Sequence, residues 1–192
     1  MMKKLIFATN NPNKLAEIKS AVNSFEVVGL KEMGINDDIA ETGLILKENA
    51  LIKSQFIYQK TGLSCFADDT GLEVAALDGR PGVYSARYAG EHATAEENMQ
   101  KLLSEMENQK NRTALFRTVI SLILNGEEYF FEGIVKGEIL KEKKGNDGFG
   151  YDPIFRPVGY KKSFAEISIA QKNEISHRGL AVKKLVKFLA GL

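Results

Sequence analysis

Two adjacent carboxylates lie in the segment Ala67–Gly71, which reads ADDTG and follows a short apolar run. The run predicts a buried strand, and ligands of open α/β sheets bind beyond the carboxyl ends of strands. Neighbours on an extended chain point to opposite faces, so Asp68 and Asp69 should differ in role, one binding metal or activating water while the other holds the turn. An acidic turn without chemistry is the alternative. Glu41 and Glu48 are further carboxylates, and phosphate-handling sites need few because Mg²⁺ also binds water and substrate oxygens.

The segment ATNNPNK, residues 8–14, has the composition of an anion site. It lies at a predicted strand-to-helix junction, where backbone N–H groups and the helix dipole attract anions. Asn10 and Asn11 add amides, and Lys14 adds a positive charge one turn into the helix. The segment lacks the glycines of a Walker A loop. An asparagine-rich helix cap with a solvated lysine is the alternative interpretation.

The segment GNDGFGYDPIF, residues 145–155, is rich in glycine. Glycines let the backbone approach a ligand closely, and Phe149 between two of them could present its ring to a planar group. The alternative is a β-turn whose Phe149 and Tyr151 side chains pack in the core.

The segment KNEISHRG puts His177 and Arg178 in the first turn of a predicted helix, with Ser176 as its N-cap and Lys172 just upstream. Helix starts carry partial positive charge and favour anions, so cations are unexpected there. One interpretation is that these donors face acceptors on a ligand and that solvent exposure tolerates their charge in the empty protein. The other is a solvated first turn that pairs with Glu174.

The elements that must position these segments belong to an α/β fold. Apolar patterning predicts strands over residues 4–9, 25–30, 64–67 and 72–77, a helix that starts at Pro12, and a helix over residues 44–59. Thr94 and Glu97 form a capping box before a third helix. Asn125-Gly126 between two β-rich runs predicts a hairpin. Long antiparallel strands beside a strand–helix–strand opening predict a mixed sheet.

Composition excludes several classes of function. The 192 residues are 44% hydrophobic and 27% charged, as in a soluble globular protein, and the net charge of +1 gives no basic excess for nucleic acid or an anionic membrane. Cys65 is the single cysteine, which fits a reducing compartment. We expect no signal peptide, no membrane span and a cytoplasmic protein. The sequence also lacks a GxSxG motif and zinc-ligand spacing.

Five segments together resemble the inosine triphosphate pyrophosphatase family, the Ham1-like pyrophosphatases of non-canonical purine nucleoside triphosphates. They are ATNNPNKLAEI, AETG with ENALIK, FADDTGLEVAALDGRPGVYSARYAG, GFGYDPIF, and SFAEIS followed by KNEISHRG. They follow the family's order, span nearly the whole chain and are highly specific in combination. Thr70 departs from the more usual serine, but it retains the hydroxyl, so we expect little change in the chemistry.

The resemblance implies one domain over residues 1–192, an α/β fold with a long central mixed β-sheet, helix-flanked lobes and an active-site cleft between them. It implies hydrolysis of the α–β phosphoanhydride of ITP, dITP and XTP to the monophosphate and pyrophosphate, which would cleanse the nucleotide pool. It also implies a Mg²⁺ cofactor and a homodimer.

The resemblance further implies roles for the matched positions. Glu41 and Asp69 would bind Mg²⁺, Asp69 would also be the general base, and Asp68 would support the metal site. The triphosphate would contact Thr9, Asn10, Asn11, Lys14 and Lys53, and Thr70 would contact substrate. The base and sugar would contact Phe149, Gly150, Tyr151 and Asp152, while the base would be read by Lys172, His177 and Arg178. These last donors would suit the O6 acceptor of a 6-keto purine, whereas the adenine amino group would leave a buried donor without an acceptor.

Three alternatives remain at this stage. A Maf-type pyrophosphatase for modified pyrimidine nucleotides is disfavoured by KNEISHRG and GFGYDP. A non-catalytic nucleotide-binding regulatory module is disfavoured by the joint presence of Glu41, Asp69 and Lys14. A nucleic-acid-binding protein is disfavoured by the near-neutral charge.

Overall fold

A computed structural model of the protein, which describes residues 4–22 and 25–191, shows a mixed α/β fold. The helices in the described residues are α1 Pro12–Ala21, α2 Leu46–Thr61, α3 Ala95–Glu105, α4 Ile169–Ile175 and α5 His177–Ala190. The strands are β1 Lys4–Phe7, β2 Glu26–Gly29, β3 Cys65–Val74, β4 Pro81–Gly82, β5 Thr113–Leu124, β6 Glu127–Ile139 and β7 Phe155–Pro157. Over these same residues, none of the helices combines the length and apolar character that crossing a membrane requires.

The strands form one mixed sheet in the order β2-β1-β3-β5-β6-β7, with β4 beside β3. Strand β1 runs parallel to both β2 and β3, whereas the β3–β4 and β6–β7 pairs are antiparallel. Asn125 and Gly126 join β5 to β6 with φ values of 52° and 92°, the left-handed conformations of a tight hairpin turn. The predictions of an α/β fold, a mixed sheet and this hairpin are therefore confirmed.

The chain divides into two compact units. The first contains residues 1–69, 118–133 and 178–192, and the second contains residues 70–117 and 134–177. Both ADDTG and SHRG are divided at a unit boundary, since one boundary follows Asp69 and another follows His177.

The first unit has a sheet with apolar clusters on both faces. In β1, Leu5 and Phe7 pack into a cluster with residues of α1 and α5, while Ile6 packs on the other face with Ile57 of α2. Parallel strands buried on both faces have continuous apolar sequences, as the KLIF run does. The helices of this unit therefore lie on opposite faces of the sheet, α1 and α5 on one and α2 on the other.

Strand β3 is longer than the sequence indicates. We expect DDTG to end a strand after Ala67 and a second short strand to cover residues 72–77, but β3 continues through both segments to Val74. The extended backbone of DDTG excludes the acidic turn. Residues 75–77 form a short 3₁₀-helix rather than a strand end.

The second unit has its own core, where α3 packs against the sheet. Thr94 caps α3 through the predicted capping box with Glu97. Met99 and Leu102 of α3 lie in one cluster with Phe116 and Phe155. This cluster backs the glycine-rich segment, since Tyr151 and Ile154 also belong to it.

Candidate active site

The two aspartates of β3 point to opposite faces of the strand and have different partners. Phe66 lies on the face covered by α1 and α5, and Ala67 lies on the face covered by α2. Strand alternation therefore directs Asp68 towards α1 and α5 and Asp69 towards α2. Their contacts agree, since Asp68 binds Lys14 and Asp69 binds Asn49. The predicted orientation to opposite faces is therefore confirmed, and the difference in role stays a prediction.

The ATNNPNK segment forms the start of α1. The Asn11 side chain caps the helix by accepting from the N–H groups of Asn13 and Lys14, with Pro12 as the first helical residue. The Thr9 hydroxyl accepts from the Asn11 N–H, and the exposed Asn10 amide donates to the Asp37 carbonyl. The cap is confirmed, and it places Lys14 in the first turn.

The Lys14 side chain is directed towards Asp68 rather than into solvent, which excludes the solvated lysine. Its Nζ lies 2.9 Å from Asp68 Oδ1, and 16% of the lysine side chain is exposed. Burial lowers the pKa of Lys14, and the nearby cations Lys53 and Arg178 add to this effect. Burial alone would raise the pKa of Asp68, but Lys14 and Arg178 outweigh it and hold that pKa well below its ordinary value.

Arg178 lies in a buried cluster of ion pairs, and this changes the explanation of the cationic helix start. Its Nε donates to Asp68 Oδ2 at 3.0 Å, and its Nη1 donates to Glu17 of α1. Arg178 is 2% exposed and Glu17 is 4% exposed. The expectation that solvent exposure tolerates these charges is wrong, as is a solvated first turn. The carboxylates of Asp68 and Glu17 neutralise the arginine instead.

Asp68 contacts two cationic side chains, whereas we expected it to support the metal site. One carboxylate oxygen holds Lys14 and the other holds Arg178. Both oxygens thus contact cations, and the support of the metal site by Asp68 stays a prediction.

Asp69 and Glu41 converge on the ammonium group of Lys53. Lys53 Nζ donates to Glu41 Oε1 and lies 3.8 Å from Asp69 Oδ1. The other oxygen of Asp69 accepts from the Asn49 amide at 3.2 Å. Gly43 donates to the oxygen of the same amide at 2.7 Å, which fixes the orientation of Asn49. Two segments of the resemblance, AETG and ENALIK, thus meet at Asp69.

The charges of this group shift the pKa values of its members. Burial raises the pKa of Asp69, and the nearby Glu41 carboxylate raises it further, against the opposing effect of Lys53. Burial alone would lower the pKa of Lys53, but Asp69, Glu41 and Asp68 outweigh it and raise that pKa. A carboxylate that takes up a proton more readily than usual suits a general base.

The donor set around Lys53 fits a magnesium ion. Glu41 and Asp69 offer carboxylate oxygens, the ligands that Mg²⁺ prefers, and both already face one cationic group. Within residues 4–22 and 25–191, no cluster of three or more His, Cys, Asp or Glu side chains could hold a metal ion by itself. A pair of carboxylates is consistent with Mg²⁺, because water and substrate phosphates complete its coordination.

In the second unit, Lys172 and Asp152 form a buried pair beside Phe149. Lys172 Nζ lies 2.7 Å from Asp152 Oδ2, and each side chain is 4% exposed. The same carboxylate oxygen accepts from the Phe149 N–H at 2.8 Å, and the lysine Nζ lies 4.5 Å from the centre of the Phe149 ring. A Cβ at Gly148 would approach Asp152 Oδ2 to 2.4 Å, so this turn requires glycine.

Two of the other predicted site residues of the second unit have side chains that pack in the protein interior. Tyr151 is buried and its hydroxyl donates to the Ser85 carbonyl at 2.8 Å, so the core interpretation is correct for Tyr151. The buried ring of His177 stacks on Phe116 at 4.5 Å between centroids. Gly150 adopts a left-handed φ of 62°, and Thr70 is a half-buried residue of β3.

The chain is similar to known proteins over nearly its whole length. The model of the Ham1 family matches residues 5–188. The chain belongs to the Ham1 family. Two solved structures resemble this Ham1-family protein over almost its full length. The Ham1 protein of Staphylococcus aureus superposes with a TM-score of 0.89 at 43% identity and covers 98% of this chain and 99% of its own. A HAM1 protein from Coxiella burnetii gives a TM-score of 0.90 at 39% identity with full coverage of both chains.

Relatives of this Ham1-family protein carry a specific name. A Flavobacterium johnsoniae protein named dITP/XTP pyrophosphatase is 53% identical over 187 residues, which is 97% of each chain. A Porphyromonas gingivalis protein of the same name is 54% identical over 190 residues, which is 98% of each chain.

Three residues that contact predicted site residues of this Ham1-family protein were not predicted from the sequence. Glu17 binds Arg178, Asn49 binds Asp69, and Phe116 stacks on His177. Glu17 had a local signal, because it follows Lys14 by three residues and so lies on the same side of α1. No local sequence signal indicated Phe116, because its contact with His177 joins distant parts of the chain.

Proposed function

We propose that this protein hydrolyses dITP and XTP, and ITP as well, between the α- and β-phosphates, releasing the nucleoside monophosphate and pyrophosphate. The observation that carries the proposal is the cluster of the first unit, where two lysines and the carboxylates of Asp69 and Glu41 lie near one another. Relatives at 53% and 54% identity that are named dITP/XTP pyrophosphatase support the same reaction.

The first unit offers the groups that a triphosphate needs. Lys14 projects from the first turn of α1, so its charge and the helix dipole act on an anion together. Asp68 keeps Lys14 in place, and Lys53 adds a second ammonium group. Thr9, Asn10 and Asn11 lie at the helix start and would contribute polar contacts to the phosphates.

The Asp69 carboxylate takes the proton of the attacking water. The water oxygen bonds to the α-phosphorus as the bond to the bridging oxygen breaks, and that oxygen leaves with pyrophosphate. The raised pKa of Asp69 suits proton uptake, and Asn49 fixes the carboxylate through its other oxygen. Mg²⁺, held by Glu41 and Asp69, would supply charge stabilisation to the phosphate oxygens and a more acidic water.

The second unit offers the groups that a purine base needs. Phe149 presents a ring, and Lys172 and Asp152 place a donor and an acceptor beside it. This region would be shaped or supported by Gly150, Tyr151, Thr70 and His177. Arg178 follows His177 in the first turn of α5. A 6-keto purine accepts a hydrogen bond where adenine donates one, so a lysine or arginine donor favours the keto base.

We further propose that the protein acts as a homodimer in the cytoplasm and removes non-canonical purine nucleotides from the nucleotide pool. The family resemblance supports these three statements. Sedimentation velocity on the purified chain tests the first, since a monomeric mass at micromolar concentration would contradict it.

The reaction is tested by following dITP with MgCl₂ by ³¹P NMR from the first minutes. We expect dIMP and pyrophosphate to form together without an intermediate diphosphate. The Asp69→Asn protein, purified in parallel, controls for contaminating phosphatases. Initial release of dIDP and orthophosphate would refute the proposal.

A panel of XTP, ITP, dATP and 5-methyl-UTP, assayed in the same way, separates the alternatives. Preference for the methylated pyrimidine would indicate a Maf-type pyrophosphatase. Tight binding of dITP with no turnover in MgCl₂ would indicate a regulatory module.

A further inference from the structure

The Lys53 ammonium group occupies the point at which the proposed metal ligands converge. Its Nζ donates a hydrogen bond to Glu41 Oε1 and lies 3.8 Å from Asp69 Oδ1. The lysine side chain is 10% exposed, and the two carboxylate side chains are 26% and 8% exposed. The ammonium group is therefore an internal cation that reduces the repulsion between two neighbouring carboxylates.

A divalent ion and this ammonium group compete for the same oxygens. Mg²⁺ binds carboxylate oxygens at about 2.0–2.1 Å in a near-octahedral arrangement, which leaves no space for an ammonium group between the same two carboxylates. Metal binding therefore requires Lys53 to move away, and the displaced charge needs another anion. The phosphates of the substrate would supply that anion.

We infer that Lys53 acts as a substitute cation which holds Glu41 and Asp69 in the nucleotide-free protein and weakens metal binding until a polyphosphate draws the lysine away. The inference rests on the proposed function for the identity of the metal ligands. It gives Lys53 a second role besides phosphate binding, since the same side chain would make metal and nucleotide binding cooperative.

The test measures Mn²⁺ binding to the nucleotide-free protein from the EPR signal of free Mn²⁺. Lys53→Met removes the charge and keeps a chain of similar length and apolar character. We expect this variant to bind Mn²⁺ at least about tenfold more tightly than the wild type, because a unit charge in contact with the ligands of a partly buried site opposes the metal strongly.

Lys14→Met is the matched control. Lys14 is also a largely buried lysine in the first unit, but its Nζ contacts Asp68 rather than Asp69 or Glu41. Its loss should change Mn²⁺ affinity less than the loss of Lys53. An unchanged Mn²⁺ affinity in Lys53→Met, or an equal gain in both variants, would overturn the inference.

Thermal unfolding gives a second readout if Lys53→Met folds poorly. Without metal, the two carboxylates lose their shared cation, so the variant should unfold at a lower temperature and should regain stability as MnCl₂ is added. Destabilisation that MnCl₂ does not reverse, in both Lys53→Met and Lys53→Gln, would also overturn the inference. Hydrolysis of dITP by the wild type tests the proposed function separately, because it needs no variant of Lys53.

Discussion

Replacing Glu17 with alanine should destabilise the protein by about 3–5 kcal/mol, the usual cost of removing one partner from a buried ion pair. Glu17 and Asp68 together balance Lys14 and Arg178, and all four side chains are at most 16% exposed. Without Glu17 the cluster keeps one uncompensated positive charge. In a chain of this size the loss corresponds to a fall in Tm of about 6–20 °C.

The assay is urea unfolding followed by far-UV circular dichroism, since the chain has no tryptophan for fluorescence. The midpoint should fall while the m-value stays constant. Glu26→Ala is the control, because Glu26 and Lys4 form an exposed pair at 3.8 Å. Such pairs contribute about 0–1 kcal/mol.

A double variant makes this test sharper. Adding Arg178→Met to Glu17→Ala removes the excess positive charge and leaves Asp68 paired with Lys14, so the double variant should be more stable than Glu17→Ala alone. A loss below about 1 kcal/mol in Glu17→Ala would refute the reasoning, because it would equal that of an exposed pair. A double variant less stable than Glu17→Ala would refute the charge-balance argument.

Three further predictions concern other parts of the molecule. Asp69→Asn should lower kcat for dITP by at least about 10²–10⁴-fold with little loss of stability. Asp68→Asn should instead lower the midpoint of urea unfolding. A large loss of stability in Asp69→Asn with none in Asp68→Asn would contradict the assigned roles. Arg178→Ala should lower kcat/KM for ITP more than for ATP, and Lys14→Ala should lower both equally. The ratio of the two kcat/KM values does not depend on the folded fraction of the variant. Equal losses for ITP and ATP in Arg178→Ala would exclude base reading by Arg178. Burial raises the pKa of Tyr88 to about 12, assisted by Glu105, to which its hydroxyl donates. Because the folded-state pKa is raised, the stability of the wild type relative to Tyr88→Phe should be constant below about pH 10 and should decline as the pH approaches 12, as measured by urea unfolding at each pH; a difference that stays constant through this window would contradict the shift.

Local signals predicted most of the elements. Pro12 after Asn11, the Thr94–Glu97 capping box and the Asn125-Gly126 turn each determine the backbone of a few neighbouring residues, and all three are confirmed. The strand through DDTG was missed because aspartate and glycine disfavour strands in isolation. Tertiary contacts outweigh that preference here, since both aspartates are buried against cations from other elements.

Tertiary contacts also decide the arrangement of the candidate site, and local sequence patterns do not specify them. Residue type and spacing identified the lysines and carboxylates, but not their partners. The pairing of Arg178 with Glu17 joins residues 161 positions apart. No local pattern specifies such a contact, so the sequence indicated a conflict at the start of α5 without indicating the carboxylates that resolve it.

The alternation of side chains along β3 also restricts how the length of this chain can change. Deleting one residue between Cys65 and Asp68 would turn each aspartate to the opposite face of the strand, so that each would meet the partners of the other. A substitution changes the contacts of one side chain, but this deletion would change the contacts of Asp68 and Asp69 together. The turn at Asn125-Gly126 has no such requirement, because added residues would extend into solvent. Insertions and deletions should therefore accumulate at the hairpin turn and be excluded from β3.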